Sequence, residues 1–143
     1  LADKQGVQEM IGRTWLDLQQ FRLLVLHAAW TVDQVGGSAA RTEIAAVKVM
    51  TPQVYTDAAY RCMKLHGALG VSNEMPIAGM WLGGAALGLA DGPTEVHMTT
   101  IAKHVLKNVE PTTTGWPSEH LPERREAARA RYADILERTL TNE

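Results

Sequence analysis

The sequence predicts an all-α fold, an antiparallel four-helix up-and-down bundle with an additional C-terminal helix. Three observations predict it. Apolar residues recur three or four positions apart over long stretches, the repeat of one helix face. No stretch of weight alternates apolar with polar as a strand does. Breaks rich in Gly and Pro divide the pattern into three long helices, a short one and a C-terminal one, a set that packs as an antiparallel bundle.

The first helix is expected from about Asp3 to Val35. Val7, Met10, Ile11, Leu18, Phe21, Val25, Ala28 and Val32 keep the helical spacing. Trp15, Leu16, Leu23, Leu24, Leu26 and Trp30 widen the apolar surface beyond one stripe, so this helix wants neighbours on more than one side. Gly36-Gly37 ends it, as glycine does just past a helix. Ser38 is then a candidate N-cap for a second helix from Arg41 to about His66. Its buried face should carry Ile44, Val47, Met50, Val54, Ala58, Cys62 and Leu65. Pro52 removes one backbone donor, but the apolar phase continues across it, so one kinked helix is expected rather than two.

Gly67-Ala68-Leu69-Gly70 reads as a tight turn and Val71 to Pro76 as a connector. A short helix, roughly Ile77 to Leu87, contains Gly79, Gly83, Gly84, Ala85 and Ala86. That composition is weak in helix propensity, but its small side chains permit close backbone approach. A further helix is expected from Pro93 to about Asn108. Pro111, Thr112, Thr113, Thr114, Gly115 and Pro117 mark a loop. The last helix, about Pro122 to Leu140, has a narrow apolar stripe of Ala128, Tyr132, Ile135, Leu136 and Leu140. Its opposite face mixes Glu and Arg.

Composition excludes several classes. With 143 residues and 45% hydrophobic content the chain is one domain with its own core. Residues 1–110 form the bundle, and 111–143 a loop and helix of the same domain. A net charge of −2 lacks the concentrated basic face of a nucleic-acid binder. No run is long and apolar enough for a membrane span. The single cysteine, Cys62, falls within an apolar helical pattern and reads as a buried, inert thiol. His27, His66, His97, His104 and His120 show no metal-ligand spacing, so no metal site is expected. The tryptophans read as core or interface anchors, with Trp81, beside the Gly-rich stretch, a candidate pocket wall.

The stretch that organises the chain is Leu89-Ala90-Asp91-Gly92-Pro93-Thr94-Glu95-Val96-His97. Pro suits the start of a helix and Glu95 suits its first turn electrostatically. Asp91 therefore lies on a bend just before a helix N-terminus. Two roles are open to it: a helix cap, or a carboxylate base at a mouth between helices.

The order of these features resembles the C-terminal helical domain of acyl-CoA dehydrogenases. In that family a Gln-x-x-Gly-Gly-x-Gly motif is followed by a Pro and then by Tyr-Glu-Gly-Thr. Here Arg61 to Val71 is followed by Glu74-Met75-Pro76, a short helix, and Leu89 to Glu95. The form Asp-Gly-Pro-x-Glu-Val-His resembles the branch that animals carry fused to a kinase-like phosphotransferase domain, which uses Asp at the base position. The resemblance covers roughly Leu1 to Asn108.

It implies an FAD-dependent oxidoreductase of fatty acid metabolism that converts acyl-CoA to 2-enoyl-CoA. Asp91 would be the base that abstracts the α-proton, and Gly92 would let the substrate pass. Pro93, Thr94 and Glu95 would contact FAD. Lys64, Leu65, His66, Gly67 and Ala68 would contact the FAD of a neighbouring subunit. That implies a homodimer or homotetramer, together with an electron-transfer partner. The location would be cytoplasmic in a bacterium and mitochondrial or peroxisomal in a eukaryote.

The chain departs from the family at four places. Lys64 stands for Gln and Ala68 for Gly. Pro93 stands for Thr. Gly83 and Gly84 occupy the stretch where many members carry an Arg-Asp pair. The domains that supply most of the family's flavin and thioester sites are not in this sequence, and it opens without Met. The expectation is a fragment, inactive on its own. The alternatives are a partner subunit of a split dehydrogenase, or a non-catalytic helical module for oligomerisation or interaction that needs no flavin.

Overall fold

The computed structural model describes residues 1–110, 121–133, 135 and 137. The expected loop around Pro111 to Pro117, with Trp116 and His120, lies outside the described residues, as do Leu136 and Leu140 of the last stripe. The described residues are helical without a strand, as the sequence predicts: α1 (Gln5–Val35), α2 (Arg41–His66), α3 (Ala68–Val71), α4 (Ile77–Leu89), α5 (Thr94–Leu106) and α6 (Leu121–Arg131). They form two compact units, Leu1–Lys107 and Asn108–Glu143. In the second unit α6 carries Glu123 in its first turn and Arg129 and Arg131 in its last, the charge order that suits a helix dipole.

In the first unit α2 is the centre, and α1, α3, α4 and α5 all pack on it, α4 most extensively. α1 ends where expected: Gly36 adopts φ 82 and its N–H bonds Val32 O at 2.8 Å. Ser38 does not cap α2. The N–H groups of Ala39 and Ala40 both return to Gly36 O, so a helical turn already stands under α2, and its N-cap is Ala40, without a side-chain bond. Ala40 is wholly buried, a place with no room for a longer side chain.

α2 runs unbroken through Pro52. Its most buried residues are Ala45, Val49, Val54 and Ala59, whereas Ile44 is exposed. The buried phase differs from the expected one because α2 is flanked on more than one side, and small residues bury best between close neighbours. Gly67 to Gly70 is not a plain turn: Gly67 (φ 59) makes the corner and a one-turn helix, α3, follows. A Cβ on Gly70 would stand 2.6 Å from Met63 O, so only glycine lets α3 fold back over the end of α2.

The small residues of α4 serve the predicted purpose. A Cβ on Gly84 would run into the Thr56 hydroxyl and stand 3.2 Å from its Cβ, so α4 lies almost backbone to backbone on α2.

An ion-pair cluster ties α1 to α2. Arg61 Nη2 lies 2.8 Å from Asp17 Oδ2, and both side chains are about four-fifths buried (18% and 19% exposed). Arg61 also donates to Thr14 Oγ1 at 3.3 Å. Removing one partner would leave the other largely desolvated, so Arg61→Met should cost about 1–3 kcal/mol. Urea unfolding measures this, and an unchanged midpoint would contradict it.

The core itself is modest. Its buried apolar residues are Ala28, Ala40, Ala45, Val49, Val54, Ala59 and Ile77. Much of α1 stays bare: Trp15 and Trp30 are each 60% exposed, and Leu23 is 66% exposed. The broad apolar surface expected of α1 exists, but only α2 covers it appreciably within this unit.

Candidate active site at the α4–α5 corner

α4 ends at Leu89 and α5 begins at Thr94. Between them Ala90 is extended (φ −63, ψ 143). Asp91 then turns to φ 54, the one positive-φ residue other than glycine among the described residues, and Gly92 follows at φ 101. Pro93 (φ −66, ψ 152) is the N-cap of α5, not its first residue, and no side chain caps this end. Asp91 is thus on the predicted bend without being a cap. Its carboxylate is exposed. Asp tolerates the left-handed region better than most residues, but at a cost. A carboxylate on strained backbone, with no side-chain bond among the described residues to explain it, is a functional candidate.

Three side chains fasten this corner. The Lys48 ammonium on α2 donates to Leu87 O at 2.8 Å. The Thr94 hydroxyl donates to Gly88 O at 3.2 Å. His97 Nε2 lies 3.3 Å from Asp91 O. The first two satisfy carbonyls that the end of a helix leaves without partners. Neither Lys48 nor His97 announces this role in the sequence. The sequence gives no signal for Lys48, which shares α2 with Arg41, Arg61 and Lys64. Lys48→Met should cost about 1 kcal/mol and speed amide exchange at Ala90. Unaltered exchange there would show that Lys48 does not secure the corner.

A groove of about 440 Å³ runs between α2 and α4 to the start of α5, lined by Pro52, Thr56, Asp57, Trp81, Gly84 and Thr94. Trp81 is therefore a pocket wall, as expected. The first turn of α5 leaves donors open. Val96 N–H returns to Pro93 O at 3.0 Å, whereas the N–H groups of Thr94 and Glu95 have no partner among the described residues.

Of the predicted site residues, the corner gathers Asp91, Gly92, Pro93, Thr94 and Glu95. The others stand apart. Lys64 is twelve residues beyond Pro52 on α2, about 18 Å along the axis. There a larger groove, about 770 Å³, is lined by Glu9, Met10, Arg13, Tyr60, Arg61 and Lys64. The Lys64 ammonium sits 5.7 Å from the Tyr60 ring centroid, a cation–π distance. Leu65 is half-buried, while His66, Gly67 and Ala68 are exposed. His66 Nδ1 is 2.8 Å from Cys62 O, so that face of its ring is turned to its own helix. One chain therefore presents two separate places; Asp91 lines neither groove, and the smaller one reaches its corner through Gly88 and Thr94.

Similarity to known proteins follows the same residues. The family description "Acyl-CoA dehydrogenase, C-terminal domain" matches residues 1–106. Acyl-CoA dehydrogenase family member 11 of Rattus norvegicus is 40% identical over 108 residues, covering 76% of this chain and 14% of that protein. The Mycobacterium tuberculosis protein named as acyl-CoA dehydrogenase FadE2 is 38% identical over 112 residues, covering 78% of this chain and 28% of that protein. A solved Mycobacterium abscessus structure titled as an acyl-CoA dehydrogenase superposes with a TM-score of 0.72 at 38% identity. It covers 75% of this chain and 26% of that one. The chain thus spans between 14% and 28% of the length of these two sequence relatives.

Proposed function

This chain belongs to the acyl-CoA dehydrogenase family through its C-terminal helical domain, and we propose that Asp91 is the base of an FAD-dependent oxidation of acyl-CoA to 2-enoyl-CoA. The observation that carries the proposal is the left-handed Asp91 at the α4–α5 corner, held by its neighbours but bonded through its carboxylate to none of the described residues.

The residues present fit a flavin. The open N–H groups of Thr94 and Glu95 are donors of the kind a flavin ring carbonyl accepts. The exposed Lys64 ammonium suits an anionic group at the second place. Pro93 shapes the helix start but has no N–H to give. Held by Thr94 and Glu95, a bound flavin would supply the acceptor for the hydride that leaves the substrate β-carbon.

What the chain's own residues do is then specific. Asp91 removes the proton α to the thioester carbonyl. Gly92, without a Cβ, lets the thioester run close to the backbone. Thr94 keeps the corner closed through Gly88 O. A solvated carboxylate is a weak base towards a C–H bond, and desolvation strengthens it. Asp91 is exposed among the described residues, so the water-excluding cover has to come from beyond them. Lys64 to Ala68, which begin about 18 Å along α2 from Pro52, serve a second flavin held by a neighbouring subunit. The working unit is then a homodimer or homotetramer that passes electrons to a separate protein.

A second reading is favoured by the bare apolar surface of α1, where Trp15 and Trp30 are each 60% exposed. On that reading the chain is a non-catalytic assembly module or the partner subunit of a split enzyme. Flavin separates the assembly module from the dehydrogenase, whether that enzyme is one chain or split. The assembled dehydrogenase, mixed without oxygen with straight-chain saturated acyl-CoAs of graded length, should lose its oxidised-flavin absorbance with at least one of them. A preparation that never holds flavin, or whose flavin stays oxidised with all of them, favours the assembly module.

A further inference from the structure

We propose that His97 is the positioning residue for Asp91, fixing the peptide from which the carboxylate is presented. The inference rests on Asp91 being the base and adds the group that aims it. A non-glycine residue at φ 54 persists only where its surroundings over-determine it. Lys48 and Thr94 hold Leu87 O and Gly88 O, both upstream of the bend. Among the described residues, His97 alone reaches the peptide of Asp91 itself, with Nε2 3.3 Å from Asp91 O.

That carbonyl can only accept, so Nε2 must carry the proton and donate it. The same nitrogen faces Gly92, where a Cβ would stand 3.5 Å away. His97 is the fourth residue of α5 and is half-buried. The helix therefore places the imidazole, the imidazole fixes the carbonyl, and the carbonyl plane sets ψ of Asp91. Loss of the donor frees that peptide to rotate and swings the carboxylate away from the α-carbon without altering the surfaces that bind substrate.

Two measurements test this. In the assembled dehydrogenase, His97→Phe keeps a ring and loses the donor, and should lower kcat about 30-fold while KM stays within about twofold. His97→Gln restores a donor of similar reach and should return kcat to within about threefold of wild type. A merely structural role would not give this rescue or this split. Imidazole nitrogen NMR should find neutral His97 in the Nε2–H tautomer, and His97→Phe should move the backbone shifts of Asp91 and Gly92. An Nδ1–H tautomer, unmoved Asp91 shifts, or an unchanged kcat in His97→Phe would overturn the proposal. Asp91→Asn, run alongside, reports on the base alone. If it keeps turnover, the base assignment falls, and the tautomer and backbone shifts still decide whether His97 holds the peptide.

Discussion

Asp91→Asn in the assembled dehydrogenase is expected to lower turnover by at least about 10³-fold, the upper range for loss of a general base, with substrate still bound. Asparagine is nearly isosteric and tolerates the left-handed region, so the backbone at φ 54 is kept while the basic oxygen is lost. Asp91→Gly makes a sharper contrast. An L-residue in the left-handed region costs about 1–2 kcal/mol, which glycine avoids. Glycine's extra freedom in the unfolded chain gives back about 0.5–1 kcal/mol. The net expectation is a variant at least as stable as the parent, by up to about 1.5 kcal/mol, and without turnover. Thermal unfolding and steady-state rates measure the pair. A marked fall in stability on Asp91→Gly would mean that the carboxylate is structural after all.

The second large effect belongs to the crossing of α4 on α2. Gly84→Ala should destabilise the chain by about 2–3 kcal/mol, within the range for overpacking a close contact, because the added methyl meets the Thr56 side chain rather than open space. Gly79 is a matched control on the same helix, where a Cβ meets nothing within 4 Å. Gly79→Ala should be neutral or stabilising by about 0.5–1 kcal/mol through helix propensity. Thr56→Ala in the Gly84→Ala background should recover part of the loss. Recovery should be incomplete, because Thr56 Cβ and Cα, 3.2 and 3.3 Å from the added atom, remain. Equal effects at the two glycines would show that the crossing is not set by contact at Gly84. The consequence reaches the site, since Asp91 follows two residues after the end of α4 and α4 lines the groove with Trp81 and Gly84.

These two predictions differ in how far the sequence foretells them. Small residues in α4 announce a close approach, and Gly92-Pro93 announces a helix start just after Asp91. Gly36 ends α1 and Pro52 does not end α2, because local spacing carries both facts. What local spacing does not carry is any partner that arrives through space. Ser38 had the right chemistry for a cap, but the turn from Gly36 to Ala40 supplies that start with backbone alone. The buried phase of α2 followed its neighbours rather than its own stripe. His97 reads as one of five scattered histidines until α5 places it over the Asp91 carbonyl, and no spacing marks Lys48 until α4 ends beside it. The roles of Asp91 and of Lys64 to Ala68 came from motif order. Geometry adds to that the strain at Asp91 and the separation of the two places.

The most direct test of the central claim follows the α-proton itself. An acyl-CoA deuterated at the α-carbon is incubated without oxygen with the assembled dehydrogenase and with its Asp91→Asn variant, and loss of the label to water is measured by mass spectrometry. Removal by Asp91 and return from its exchanged carboxyl predicts washout by the parent and retention of label by Asp91→Asn, at rates at least about 10³-fold apart. Equal washout by the two would mean that another group takes the proton, and the assignment of Asp91 as the base would be wrong.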